Sequence, residues 1–385
     1  AVTDVSCNGF CDGEINASVT GFNLPLGYLW SNGETTEDIT GLCAASYTLT
    51  VTDNNGCTNQ ATKDVSEPTS ITIDSFSDTD VDCNGNSTGT VTVAASGGTG
   101  TITYTWNDLG AQTGTGASHT ATGLPAGTYT CTVTDDNACS ITQDVTIGEP
   151  IALSATASGT NITCNGDGNG TATVSTVGGT TPYTYLWNDV GASTSGSISS
   201  LNQATYTITV TDDNGCTSSD SYTVTEPAVL SVVTAKTDLL CFEICSGDAT
   251  ATPAGGISPY SYSWDDPGTQ TGTGVTHTAT GLCSGLVNVT VTDDNGCTVG
   301  GSETLTEPTE IIVSIDAITN VTCNSGADGG ITSSVAGGSL PYASNIWDDP
   351  LTQNTLTPSG LSAGTFTMTV TDNNGCTATG DTTLV

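Results

Sequence analysis

The sequence predicts an all-β chain of five tandem immunoglobulin-like β-sandwich domains in an extended rod. Three observations lead there. A block recurs five times, with first cysteines Cys7, Cys83, Cys164, Cys241 and Cys323, tryptophans Trp30, Trp106, Trp187, Trp264 and Trp347, and closing cysteines Cys57, Cys139, Cys216, Cys297 and Cys376. Its period of 76 to 83 residues is too long for a solenoid repeat and fits a small domain with its own core. Apolar residues alternate with Thr and Ser along each block, and no stretch has helical periodicity.

Glu-Pro pairs at Glu67-Pro68, Glu149-Pro150, Glu226-Pro227 and Glu307-Pro308 mark the joints. They divide the chain into 1–67, whose leading strand is incomplete, then 68–149, 150–226, 227–307 and 308–385, which stops before its own Glu-Pro. In Tyr183-Thr184-Tyr185-Leu186-Trp187 the aromatics share one strand face, so the five tryptophans are expected in the cores. In 205–211, Tyr206, Ile208 and Val210 face one way and the threonines the other, and Asp212-Asp213-Asn214-Gly215 then turns the chain in a hairpin. The stretch from Tyr342 to Trp347 is one residue longer than that from Tyr260 to Trp264, which predicts a β-bulge. Five such domains joined by stiff Glu-Pro junctions would extend to at least roughly 100 Å.

The cysteines sort by comparing blocks. Two blocks carry an extra pair, Cys11 with Cys43 and Cys245 with Cys283. The others carry neither partner, having Ser87, Gly168 and Ala327 at the first position and Pro125, Asn202 and Ser362 at the second. Both present or both absent means that they bond each other. Elimination then pairs the outer cysteines within each block, as Cys7 with Cys57, Cys83 with Cys139, Cys164 with Cys216, Cys241 with Cys297 and Cys323 with Cys376. Closing a loop of about 50 residues stabilises by roughly 4 kcal/mol on the chain-entropy argument. Cys131, aligned with Leu49, Ile208, Val289 and Met368, is the expected free thiol, buried as a small hydrophobe. This disulfide density places the chain outside the cytoplasm.

Forty acidic residues face only Lys63 and Lys236. A net charge of -38 repels nucleic acid and anionic lipid, so cations or basic surfaces are the natural partners. No apolar run is long enough to span a bilayer, so membrane insertion is not expected, and the lack of an opening signal segment or initiator Met reads as a mature or excised segment. Cys7 is preceded by only six residues, which reads as an excerpt of a longer array or as a first domain completed by a strand from a neighbouring chain.

The third block runs from Cys164 through Gly178-Gly179-Thr180, Pro182-Tyr183 and Trp187 to Cys216. This pattern closely resembles the SprB repeat of Bacteroidetes cell-surface proteins, and the resemblance extends over all five blocks. The first block replaces the Gly-Gly-Thr segment, and the fifth lacks the tyrosine before Trp347. The resemblance implies a giant exported adhesin of the gliding-motility and surface-attachment kind, using the type IX secretion route. It fixes the module better than its task.

A disulfide within each block would pin the loop after the first cysteine against the closing turn, making two acidic loops neighbours. In the third block that gathers Asn165, Asp167 and Asn169 beside Asp212 and Asp213, with Glu149 from the preceding junction. The corresponding groups are Asp12 and Asp53; Asn86, Asp135 and Asp136; Asp248, Asp293 and Asp294; Asp328 and Asp372. Hard oxygen ligands from two loops suit calcium. Asp, Asn and Gly also suit tight turns for local reasons, so diffuse counterion screening is the competing reading. His119 and His277, each 13 residues after a tryptophan, read as surface-loop residues. Asn16, Asn86, Asn161, Asn169, Asn288 and Asn320 match the sequon for glycan attachment, a pattern that chance readily produces in so Thr-rich a chain. Asp265-Asp266 and Asp348-Asp349 have the look of paired carboxylates but lack a consistent basic or histidine partner, so no enzyme is expected.

Two functions fit. One is an extracellular stalk of a large surface adhesin, holding a surface- or glycan-binding tip located elsewhere in the polypeptide. The other is a subunit of a secreted filament or sheath, in which copies of the chain assemble with one another. A carbohydrate-binding module is disfavoured because the tryptophans lie in the core-facing register of their strands.

Overall fold

The computed structural model describes residues 1–21, 23–265 and 270–385. Among them every regular element is a β-strand, and all the strand pairings are antiparallel. Among the described residues no helix is long and apolar enough to cross a membrane. The chain forms two compact units. One comprises 1–158, 174–196 and 207–221, and the other comprises 159–173, 197–206 and 222–385.

The second block, in the first unit, gives the pattern. Strands Ser118–Leu124, Gly89–Ser96 and Thr72–Thr79 make one sheet, in that order. Thr113–Thr115, Thr103–Trp106, Gly127–Thr134 and Ser140–Ile147 make the other. Alternation decides which faces meet: Val91, Val93 and Ala95 from the first sheet and Tyr129, Cys131 and Val133 from the second point inward, while the intervening threonines stay partly exposed. Trp106, 2% exposed, sits between the sheets. This is an immunoglobulin-like sandwich, with three strands facing four. At its entrance Gly97 has φ +87, and a Cβ there would lie 2.0 Å from the Ser70 carbonyl oxygen, so only glycine fits.

The first block, in the same unit, packs Trp30, Leu49 and Val51 against Ile15, Ile39 and Leu42, and its leading strand is only Val2–Thr3. The second unit repeats the arrangement around Trp264 and around Trp347. Strands of the third block contribute to both units: Thr184–Trp187 pairs with residues 208–211 in the first, and 170–173 pairs with Ser197–Leu201 in the second. Ser344–Trp347 pairs with 368–371 without a shift, and the extra residue falls at the very start of the strand, where the Ala343 amide donates to the carbonyl of Thr371, the residue already paired with Ser344, so that two residues stand against one.

The main correction concerns the outer disulfides. Cys7 bonds Cys139, Cys83 bonds Cys216, Cys164 bonds Cys297 and Cys241 bonds Cys376, each with Cα atoms 5.7 Å apart. None of the expected pairs, Cys7 with Cys57, Cys83 with Cys139, Cys164 with Cys216, Cys241 with Cys297 or Cys323 with Cys376, is formed. Strand polarity explains why. Gly89, just after the Cys83 loop, lies opposite Leu124, so that loop sits at the end of the sandwich where strand Gly127–Thr134 begins. The turn carrying Cys139 follows that strand's far end, eight residues or about 25 Å away. Such cysteines exceed the roughly 7 Å limit for a bridge. The final strand, Ser140–Ile147, returns to the Cys83 end, so the next block starts there and presents its own closing turn to Cys83. Cys11 with Cys43 and Cys245 with Cys283 join loops at one end of a single block.

Candidate functional site

The four inter-block cystines are the centres of four similar junctions, and the sequence around each builds the same set of contacts. In the closing turn an aspartate folds back on its own backbone. Asp135 Oδ1 accepts from the amides of Asn137 (3.0 Å) and Cys139 (2.9 Å), and Oδ2 accepts from Thr99 (2.8 Å). Asp212, Asp293 and Asp372 repeat this with Thr180, Ile257 and Ser339 as the third donor. Asp53 receives the amides of Asn55 and Cys57. These carboxylates are buried, and the two or three amides that each receives suit an anion. The asparagine two residues after the aspartate then reaches across. The side chains of Asn137, Asn214, Asn295 and Asn374 donate to the carbonyls of Ser6, Asp82, Thr163 and Leu240 at 2.8 to 2.9 Å, each just before the bonded first cysteine.

The opposing half is equally specific. Six residues after the donor, a side chain closes the first-cysteine loop: Asp12 accepts from the Ser6 amide and hydroxyl, Thr88 from the Asp82 amide, Asn169 from the Thr163 amide, Ser246 from the Leu240 amide, and Asp328 from the Thr322 amide and hydroxyl. These contacts hold the carboxyls of Asp12 and Asp328 below their ordinary value, the hydroxyls of Ser6 and Thr322 contributing most. The Glu of each Glu-Pro caps the same loop. Glu67, Glu149 and Glu226 accept from the amides of Gly9, Gly85 and Gly166, and Glu307 from that of Glu243, at 2.7 to 3.0 Å. Asn8, Asn84 and Asn165 donate to the carbonyls of Pro68, Pro150 and Pro227, a contact the fourth junction cannot make with Phe242.

The residues expected to gather calcium are therefore distributed differently. The first-cysteine loop of a block meets the turn of the following block, so Asn165 and Asp167 line one junction cavity with Asp293. Asp53, Asp135, Asp212, Asp293 and Asp372 are engaged by backbone amides, and Asp136 accepts from Thr101. Asp213, Asp294 and Asp167 are exposed, and Asp248 is half-buried on Gly247–Ala254. Among the described residues no group of three or more His, Cys, Asp or Glu side chains is placed to hold a metal ion. Of the carboxylate pairs, Asp265 accepts from Asn288, Asp348 from Thr367 and Asp349 from Gln353, while Asp266 lies outside the described residues.

Sequence reasoning took the Glu-Pro pairs as stiff joints and missed that their carboxylates cap the loops. It also passed over the bridging asparagines. The signal was available, because Asn55, Asn137, Asn214, Asn295 and Asn374 occupy one position in all five blocks. The histidines likewise do more than occupy a loop. His119 and His277 accept the indole N–H of Trp106 and Trp264 through Nδ1 at 3.1 Å, and they stack on Tyr104 and Tyr262. Trp30, Trp187 and Trp347 donate instead to the carbonyls of Thr36, Ser195 and Thr355. Cys131 is fully buried, and burial pushes its thiol up to about 11. Cys57 and Cys323, expected in bridges, are exposed free thiols.

The SprB repeat family model matches residues 1–35, 75–111, 156–192 and 233–269, each span holding a first cysteine and its tryptophan. Four matches along the chain support a SprB-type repeat region. SprB repeats place it among extracellular, adhesin-type repeat proteins. The closing cysteines of the SprB blocks all lie downstream of the matched spans. No curated protein matched the chain. Among solved structures, a tetra-tandem repeat in the extending region of a large adhesion protein is 16% identical, covers 82% of this chain and 98% of its own, and has a TM-score of 0.28. Sidekick-1 immunoglobulin domains 1–5 are 11% identical, cover 97% of this chain and 98% of their own, and score 0.29. Invasin, a bacterial integrin-binding protein, is 13% identical, covers 80% of this chain and 79% of its own, and scores 0.32.

Proposed function

We propose that this SprB region is the tension-bearing stalk of a large surface adhesin, built from five domains bounded at the Glu-Pro joints, with the surface or glycan ligand bound by another part of the polypeptide. The observation that carries the reading is the stagger of the cystines. Each bridge spans 132 to 135 residues and overlaps the next, so tension has a covalent route that bypasses most of the folded chain. From Cys7 to Cys376 the shortest route runs 25 residues from Cys139 to Cys164, 14 from Cys297 to Cys283 and four from Cys245 to Cys241, crossing bridges between. That is roughly 40 residues, or about 150 Å when taut. Without bridges the 369 residues from Cys7 to Cys376 would pull out to about 1,300 Å. A spacer that holds a tip at a fixed distance benefits from that limit, because unfolded domains cannot lengthen it.

Single-molecule pulling between the termini tests this. The oxidised chain is expected to stop extending near about 230 Å, counting the loose ends and the bridges crossed, and the reduced chain to unravel to about 1,300 Å. Oxidised chains that release as much length as reduced ones would remove the stalk reading.

A further inference from the structure

The first-cysteine loop of the fourth block departs from the pattern that the other blocks keep. Before the cysteine stands Leu240, where the others have Ser6, Asp82, Thr163 and Thr322. After it come Phe242 and Glu243, where the others have an asparagine followed by Gly9, Gly85, Gly166 or Ser325, and Ile244 replaces Phe10, Asn86, Asp167 or Gly326. Two of these changes work against the loop. Phe242 cannot donate to the Pro308 carbonyl as Asn8, Asn84 and Asn165 donate to those of Pro68, Pro150 and Pro227. Glu243 is held at φ +53, in the left-handed region that a Cβ disfavours. Strain of this kind clusters at sites where a ligand is held. What the loop presents is apolar surface, with Leu240 51% exposed, Phe242 37% and Ile244 56%. The Cys245–Cys283 staple ties the loop down, and three residues beyond Cys283 lies Leu286, 65% exposed, where the other blocks have Ser46, Thr128, Thr205 and Thr365.

Phe242 and Ile244 line a cleft of about 320 Å³ with Pro308, Ile311 and Ala378, against the Cys241–Cys376 cystine. We propose that this cleft docks a polypeptide segment of another protein that carries an apolar anchor flanked by basic residues. Size sets the anchor: the cleft is at the lower end of ligand-cavity volumes and suits one or two side chains. Charge sets the flanks. Glu310 also lines the cleft, Glu243 is exposed beside it, and the only basic side chain of the block, Lys236, is engaged by Asp238 at 2.9 Å. A second copy of the chain would bring a net charge of -38 to the same place, and anionic lipid would be repelled likewise, so a cationic partner is the complementary one. Two cystines hold the loop in place before anything binds, which lowers the ordering cost of docking. The first block shares a staple and Phe10 but keeps Ser6, Asn8 and Gly9, so the full set belongs to the fourth. The inference stands apart from the stalk reading, since a docking cleft needs no tension along the chain.

The test titrates a synthetic peptide, Lys-Leu-Lys-Phe-Lys-Leu-Lys with blocked ends, into the full oxidised chain by calorimetry at about 0.15 M salt. A control peptide has serine in place of each apolar residue. One variant combines Leu240→Thr, Phe242→Asn and Ile244→Asp, which are the residues of the third block, and it adds negative charge while removing the apolar surface. A second combines Glu243→Gly with Glu310→Gln. The native chain is expected to bind one peptide saturably, and the first variant and the serine peptide each to weaken binding by about tenfold or more. The second variant is expected to weaken it about three- to tenfold and to flatten its salt dependence. Serine peptide binding as tightly as the apolar one would overturn the proposal, because charge alone would then suffice. So would native affinity in the first variant with its Cys241–Cys376 cystine intact by peptide mapping, or no saturable binding up to millimolar peptide.

Discussion

The turn aspartate shows how much one side chain decides. In D-x-N-G-C the carboxylate collects the amides that a tight turn leaves without partners, and this frees the neighbouring asparagine to reach the next block. The glycine of that motif has φ between +82 and +85 in four blocks, whereas the second block carries Ala138 at φ +67. An alanine held in the left-handed region costs roughly 1 to 2 kcal/mol. Ala138→Gly should therefore stabilise that block by about 0.5 to 1 kcal/mol after the glycine's extra unfolded-state entropy is counted, measurable as a raised melting transition. The carboxyls make a second prediction. Asp12, Asp82 and Asp328 are held below 3.8 mainly by side-chain hydrogen bonds from Ser6, Asn86 and Thr322. At Asp349 burial pushes upward, but the hydrogen bonds from Gln353 and Leu351 outweigh it. Groups with lowered folded values bind fewer protons when folded, so their contribution is complete above the ordinary carboxylate range and is lost as pH falls through the folded values. Urea unfolding midpoints should be flat from pH 7 down to about 5 and drop steadily below about 4.

At the scale of elements the sheets were legible and the ties between them were not. Strand alternation, the inward tryptophans and the Asn-Gly turns can be read directly from side-chain period. The histidine partners cannot, because His119 on Ser118–Leu124 and Trp106 on Thr103–Trp106 belong to opposite sheets, and no local pattern records which strand faces which. The constant 13-residue spacing in two blocks was the trace of that contact. His119→Phe should leave the buried indole N–H without its acceptor, costing about 1 to 3 kcal/mol, and should be visible as faster hydrogen exchange at the Trp106 indole. The extra residue before Trp347 falls at the first position of its strand, where Ala343 and Ser344 both face Thr371, so the pairs that follow keep their register.

For the whole molecule, the cystine connectivity is the property from which the rest follows. Counting cysteines found both short pairs and the class of protein but assigned the long pairs to the wrong partners, because elimination assumed that each block closes on itself. Following strand direction corrects this: the first-cysteine loop and the closing turn lie at opposite ends of one sandwich, so the nearest partner belongs to the next block. A lone loop of about 130 residues is worth roughly 5 kcal/mol on the chain-entropy argument, similar to the shorter loop first expected, so stability alone would not distinguish the two patterns. Their consequences under tension do differ, since bridges confined to blocks would leave every joint to a single peptide strand.

The most direct measurement is disulfide mapping of the non-reduced protein, cut between cysteines and read by mass spectrometry. The account predicts linked peptides joining Cys7 to Cys139, Cys83 to Cys216, Cys164 to Cys297 and Cys241 to Cys376. Linked peptides joining Cys83 to Cys139 and Cys164 to Cys216 would contradict it.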